Sequence, residues 1–232
     1  MQSEEVKEGR ERIKEFDRNI NNDNNKEPWY KGPIKIILGL FLLLIIIMMV
    51  IPYYSIKEDP EPRMNIGLDE INEFIAVNAS KSVDGFDKIK EIYDKNDAQI
   101  KFAANMIVSR SCNNENTVCY AKALYYFVRD EIKYVSDPLG KEYIESPKIV
   151  LKTGTADCES GSLLLLNMME NIGVDGEIVL IPGHAFIRIK LDKALGKYKY
   201  DDWIYLDWTC GSCSFGEIAY GNMDKEMRFL EI

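Results

Sequence analysis

The chain has 232 residues, 46% of them hydrophobic and 29% charged, which suits one buried globular core with length to spare and excludes a disordered chain. A net charge of −9 argues against nucleic-acid binding, which needs a basic surface. The single histidine, His184, excludes any zinc site built on two or three histidines and is the obvious side chain for proton transfer near neutral pH.

Residues 1–33 are polar and charged, with an asparagine-rich stretch from Asn19 to Asn25. Ile13, Phe16 and Ile20 recur at helical spacing, but so short a charged pattern predicts a solvated tail with partial helix. The run IILGLFLLLIIIMMVI from Ile36 to Ile51 follows. With Ile34, Lys35 and the Pro52-Tyr53-Tyr54 flank it reaches the length of a membrane span, assigned to residues 34–54. Lys35 is placed to snorkel and the tyrosines to sit at the interface. A cleaved signal peptide fits less well, because the preceding segment is long and no A-x-A site follows. Lys14, Arg18, Lys26 and Lys31 precede the span, whereas Lys57 and Arg63 follow it closely. The positive-inside rule therefore predicts a single-pass protein of the cell membrane, with a cytoplasmic N-terminal tail and an extracellular C-terminal part.

Residues 55–66 read as a linker stiffened by Pro60 and Pro62. A helical region, 67–111, comes next. Leu68, Ile71, Phe74 and Ile75 form one apolar stripe, Val83, Phe86, Ile89 and Ile92 a second, and Ile100, Ala103, Met106 and Ile107 a third. Asn78-Ala79-Ser80 is a glycosylation sequon of little weight, since such tripeptides are common. Within the last segment, 112–232, Leu124, Phe127, Val128 and Ile132 make a fourth helical stripe.

The pattern then changes. Asp157 is a suitable N-cap for a buried helix from Cys158 to Ile172, which Gly173 stops. A strand follows Gly176, another runs from His184 to Leu191 after Pro182-Gly183, and a third from Trp203 to Asp207. Helices followed by consecutive strands predict an α+β fold with an antiparallel sheet.

Three residues in this stretch suit thiol chemistry. Cys158 falls in the first turn of its helix, where unsatisfied N–H groups and the macrodipole favour a thiolate. His184 opens a strand, where it can face that helix end, take the thiol proton and later protonate a leaving amine. Asp207 ends the next strand and is placed to orient the imidazole. Taken singly, each has a plainer reading as a buried cysteine, a satisfied histidine or a turn former.

The segments Thr153-Gly154-Thr155-Ala156-Asp157-Cys158, Gly183-His184-Ala185-Phe186 and Tyr205-Leu206-Asp207-Trp208-Thr209 resemble the transglutaminase-like superfamily, particularly its membrane-anchored prokaryotic and archaeal members. Ile132-Lys133-Tyr134-Val135 with Asp137 is similar to the family's segment ahead of the nucleophile. The resemblance runs from about Cys112 to the C-terminus. It implies a papain-like core with the nucleophile on a central helix against a sheet, and a Cys158–His184–Asp207 catalytic triad for acyl chemistry at amides. It implies no cofactor. Two positions depart from the family pattern: Ala156 stands where a glycine is usual, and Trp208 where a proline is. The Cys158 backbone N–H is the expected oxyanion donor.

The remaining cysteines form two close pairs, Cys112 with Cys119 and Cys210 with Cys213. In an oxidising exterior they would make two disulfides, whereas four thiolates together would make a structural zinc site; free thiols are the third reading. Two functions compete. One is a membrane-anchored thiol enzyme cleaving or transferring acyl groups on a peptide or protein substrate, with hydrolysis favoured over cross-linking. The other is a catalytically silent interaction module on the same fold.

Overall fold

The structure, a computed structural model, describes residues 2–24, 31–76, 82–138, 141 and 143–232. The sequon Asn78-Ala79-Ser80 lies outside them. The chain divides into two compact units, Met1–Tyr54 and Ser55–Ile232.

The first unit holds α1 (Gln2–Asn24) and most of α2 (Lys31–Glu58). Helix α1 runs well beyond the partial helix expected, with Ile13 and Phe16 exposed on it. Gly32–Ile51 within α2 is long and apolar enough to cross a membrane, and none of it is buried. By length and composition it is a membrane span or a signal sequence.

The second unit is α+β. Its elements are α3 (Leu68–Asn72), β1 (Ser82–Val83), α4 (Ala98–Ser111), α5 (Thr117–Glu131), β2 (Lys133–Tyr134), β3 (Ile144–Glu145), α6 (Pro147–Thr153), β4 (Thr155–Ala156), α7 (Cys158–Asn171), β5 (Gly176–Ile181), β6 (His184–Ile189), β7 (Ile204–Leu206) and β8 (Arg228–Leu230). Asp97 and Asn116 cap α4 and α5 by accepting backbone N–H groups of the first turns. The sheet has the order β7-β6-β5-β8, every pair antiparallel. Two short ladders sit apart from it: β1 with β3, antiparallel, and β2 with β4, parallel.

Helix α7 is the centre. Its residues from Cys158 to Met169 are all buried except Glu159. It packs on β5 and β6 with one side and on α4, α5 and α6 with the others. An all-round apolar helix of this kind needs neighbours on every side. Leu164–Leu166, Met168 and Met169 share one core with Ile100, Ile107, Leu124 and Phe127 and with Ile178, Ile187 and Ile189. The helices of residues 67–111 and the segment that follows therefore fold around a common centre. The opposite face of the sheet carries a smaller cluster of Val179, Ile181, Phe186 and Tyr205.

The second apolar stripe is not an α-helix. Val83 lies in β1, Gly85 is extended, and Phe86–Glu91 is a 3₁₀ helix. Three residues per turn put Phe86, Ile89 and Ile92 in one row, so they still meet Ile144 and Leu163 in one cluster.

Residues 59–66 are fastened to the second unit rather than free. The Lys122 ammonium, almost wholly buried on α5, donates to Asp59 at 2.6 Å and to Glu61 at 2.5 Å. Tyr198 and Lys197 also donate to Asp59. The Arg63 N–H bonds the Ser111 carbonyl at 2.8 Å, and Ile66 enters the core. Burial alone would lower the Lys122 pKa, but the two carboxylates outweigh it and raise it. Lys122→Ala would leave Asp59 with its buried partner gone. We expect a loss of about 3 kcal/mol and a thermal midpoint lower by roughly 10 °C, read on the full-length protein in detergent. An unchanged midpoint would mean that this buried cluster adds nothing to stability.

Candidate active site

Asp157 starts α7 by accepting the Ser160 N–H at 2.8 Å, which leaves Cys158 at the first helical position. The parallel pairing of β2 and β4 places Tyr134 opposite Ala156, and the Val135 N–H bonds the Ala156 carbonyl at 2.9 Å. On the other side, β6 begins at His184 while β7 ends at Leu206, paired with Ile187. Beyond that pair the Ala185 backbone turns to α7. Its carbonyl accepts from Ser162 Oγ at 3.2 Å, and its N–H faces the Cys158 sulfur.

His184 and Asp207 are joined, with Nε2 and Oδ2 3.0 Å apart. Asp207 is almost fully buried. Burial alone would push its carboxyl up, but hydrogen bonds from His184 and from the Thr209 hydroxyl and N–H hold it below the usual range. An ionised carboxylate only accepts, so Nε2 must carry the hydrogen. The neutral ring then keeps its lone pair on Nδ1.

The residues around Asp207 are held in turn. Its carbonyl accepts from the Tyr125 hydroxyl at 3.3 Å, and the same hydroxyl reaches the Cys213 carbonyl at 3.2 Å. Arg129 donates to that Cys213 carbonyl at 2.7 Å. Trp208 is buried; its indole N–H points to the Cys158 carbonyl at 3.4 Å and its ring covers Gly161. A Cβ at Gly161 would overlap that ring.

Cys158 is the one free cysteine. Cys112–Cys119 and Cys210–Cys213 are disulfides, so the four cysteines do not gather as zinc ligands. Among the described residues no group of three or more His, Cys, Asp or Glu could hold a metal ion.

The thiol differs from the sequence expectation. Its hydrogen bond goes to Glu159 Oε2, 2.9 Å away, and not to His184. Burial and then the Glu159 carboxylate push the thiol up to about 12, against the pull of the Ala185 N–H. The helix N-terminus is present, but it is outweighed. Glu159 is itself raised, by burial and by the adjacent Asp157 carboxylate. The Tyr134 hydroxyl lies beside the thiol, its own pKa raised by burial and by Cys158, Asp157 and Glu159.

Sequence reasoning missed Glu159, Tyr125 and Arg129. Glu159 had a signal, being the only charged residue in an otherwise buried first turn. Tyr125 and Arg129 had none, because their partners are backbone carbonyls some eighty residues away.

No protein-family model matches the sequence, and no curated protein matches it. Among solved structures, the chain is similar to a "putative cysteine protease" from Cytophaga hutchinsonii, with 14% identity and a TM-score of 0.39. The match covers 54% of this chain and 43% of that one, so the chain spans less than half of that protein's length. At that distance this chain's own residues must carry the functional reading.

In the free protein, the raised thiol should make Cys158 slow to alkylate at about pH 7, slower than an ordinary cysteine with its pKa near 8.5. The rate should climb through the alkaline range with no plateau below about pH 10. Mass spectrometry of iodoacetamide labelling against pH reads this, and a plateau near neutral pH would contradict it.

Proposed function

We propose that this chain is a membrane-anchored thiol enzyme of transglutaminase-like, papain-like type, acting on peptide or amide bonds through Cys158, His184 and Asp207. The observation that carries the reading is the His184–Asp207 pair, standing beside the N-terminus of the helix that bears the free cysteine. Cys158 is the nucleophile. His184 Nδ1 takes its proton, the thiolate attacks the acyl carbon, and the resulting imidazolium is stabilised by Asp207. The developing oxyanion lies against the Cys158 backbone N–H at the helix start. Collapse expels the amine, which takes the proton back from His184, and water then releases the acyl group by the same steps. Hydrolysis is favoured over cross-linking because a water-exposed domain meets water as its default acceptor.

The anchor is α2, with the N-terminal tail in the cytoplasm and residues 55–232 outside. The Lys/Arg bias around the span supports this orientation. So do the two disulfides, which persist in oxidising compartments. One observation favours a catalytically silent module instead: the thiol is bonded to Glu159 and not to the base.

The test is peptide turnover by the full-length protein in detergent, alongside trapping of Cys158 by peptide-based thiol electrophiles. Cys158→Ala should abolish turnover, and His184→Ala should lower it about 10²–10⁴-fold, with unchanged thermal midpoints. Adding a primary amine separates the acceptors, since transamidation would divert the product. Turnover that survives Cys158→Ala sinks the thiol-enzyme reading, because Cys158 would then not be the nucleophile.

A further inference from the structure

Glu159 has no part in the acyl chemistry just described, yet its carboxylate holds the thiol hydrogen at 2.9 Å. Resting on that functional reading, we propose that Glu159 is a latch: it keeps the Cys158 thiol protonated and turned from His184 Nδ1 until a substrate draws the carboxylate away.

Three features support the latch. First, Glu159 is the one residue of the α7 first turn that is only partly buried, so its carboxyl can turn to solvent more readily than its neighbours. Second, the resting arrangement is easy to leave. The Asp157 carboxylate lies beside Glu159, raises its pKa and can share a proton with it, so the thiol is not the only partner open to the Glu159 carboxyl. Asp157 is held in place as the helix cap, so Glu159 is the partner that moves. Third, the donor left behind suits a thiolate. With Glu159 gone, the sulfur keeps the Ala185 N–H and the helix N-terminus, both of which favour the anion, and His184 is the residue just before Ala185 on β6. The ionisable groups facing Glu159 are Cys158 and Asp157 from its own turn and Tyr134 from β2. No lysine or arginine stands among its main partners, so a substrate carrying a cationic group near the scissile bond is well suited to draw it off.

Glu159 is thus a positioning residue, acting through the thiol. The experiment is iodoacetamide labelling of Cys158 across pH in the full-length protein, comparing wild type, Glu159→Gln, Glu159→Ala, and each combined with His184→Ala. The isosteric glutamine keeps the packing if alanine does not, and thermal midpoints report which variants are folded. Removing the carboxylate should speed labelling at about pH 7 roughly 10- to 100-fold, the range of one charged hydrogen bond. The pH profile should also move toward acid. His184→Ala should cancel that gain. Labelling of folded Glu159→Gln at the wild-type rate and with the wild-type pH profile overturns the latch. Faster labelling that His184→Ala leaves untouched upholds the hold on the thiol, but removes the Cys158–His184 pair and with it the proposed activity.

Discussion

The contact between the Trp208 indole and the bare backbone at Gly161 sets the distance between the α7 helix and the end of β7. Trp208 follows Asp207 directly, so one short piece of chain carries both the carboxylate bonded to His184 and the ring seated on α7. The indole N–H also reaches the Cys158 carbonyl. A shift of α7 along the sheet would drive a side chain into the ring or open a gap beneath it. Close-packed interiors resist both. A smaller residue in place of Trp208 would supply neither the ring nor the N–H, so Trp208 has a packing role in this chain.

The far end of the same loop is held by different means. Tyr125 and Arg129 on α5 reach the carbonyls of Asp207 and Cys213, and the Cys210–Cys213 disulfide closes the turn between them. The Arg129 guanidinium also lies over the Tyr126 ring, 4.6 Å from its centroid. Buried carbonyls without donors are costly. These two side chains therefore do more than fill space: they satisfy the backbone of a loop that has no strand partner, so that Asp207 can stop pairing and face His184.

Much of this was legible from sequence where local rules dominate. The Asp157 cap, the buried helix after it, the stop at Gly173 and the three consecutive strands follow from capping, apolar runs and alternation. The structure has them within a residue or two. Legibility failed for elements too short to carry a period. Strands β1, β2, β3 and β4 have two residues each and exist because of their partners, and β8 adds to the sheet edge from the chain's end. The stripe from Val83 to Ile92 was apolar at a spacing shared by 3₁₀ and α helices. The extended Gly85 decided between them. Cys158 in the first turn of α7, His184 at the start of β6 and Asp207 just after β7 follow from the same local rules, but the state of the thiol does not. That state depends on which neighbour a rotatable side chain chooses, and spacing carries no information about it.

The thiol's surroundings pull in opposite directions, and their balance has a consequence for catalysis. The helix N-terminus and the Ala185 N–H favour the anion, whereas burial and Glu159 favour the neutral thiol and win, raising it to about 12. Forming a thiolate there means overcoming both the burial and the neighbouring carboxylate. A base alone does not remove that barrier, since His184 must become charged in the same low-dielectric space. Pairing the two charges recovers part of it, and taking the nearby carboxylate away recovers more, because an anion beside the sulfur opposes thiolate formation directly. A buried thiol beside two carboxylates is protected from oxidation and adventitious acylation, since only the thiolate reacts. In the proposed enzyme, the same arrangement makes turnover conditional on something entering the site that a negative charge prefers to the thiol.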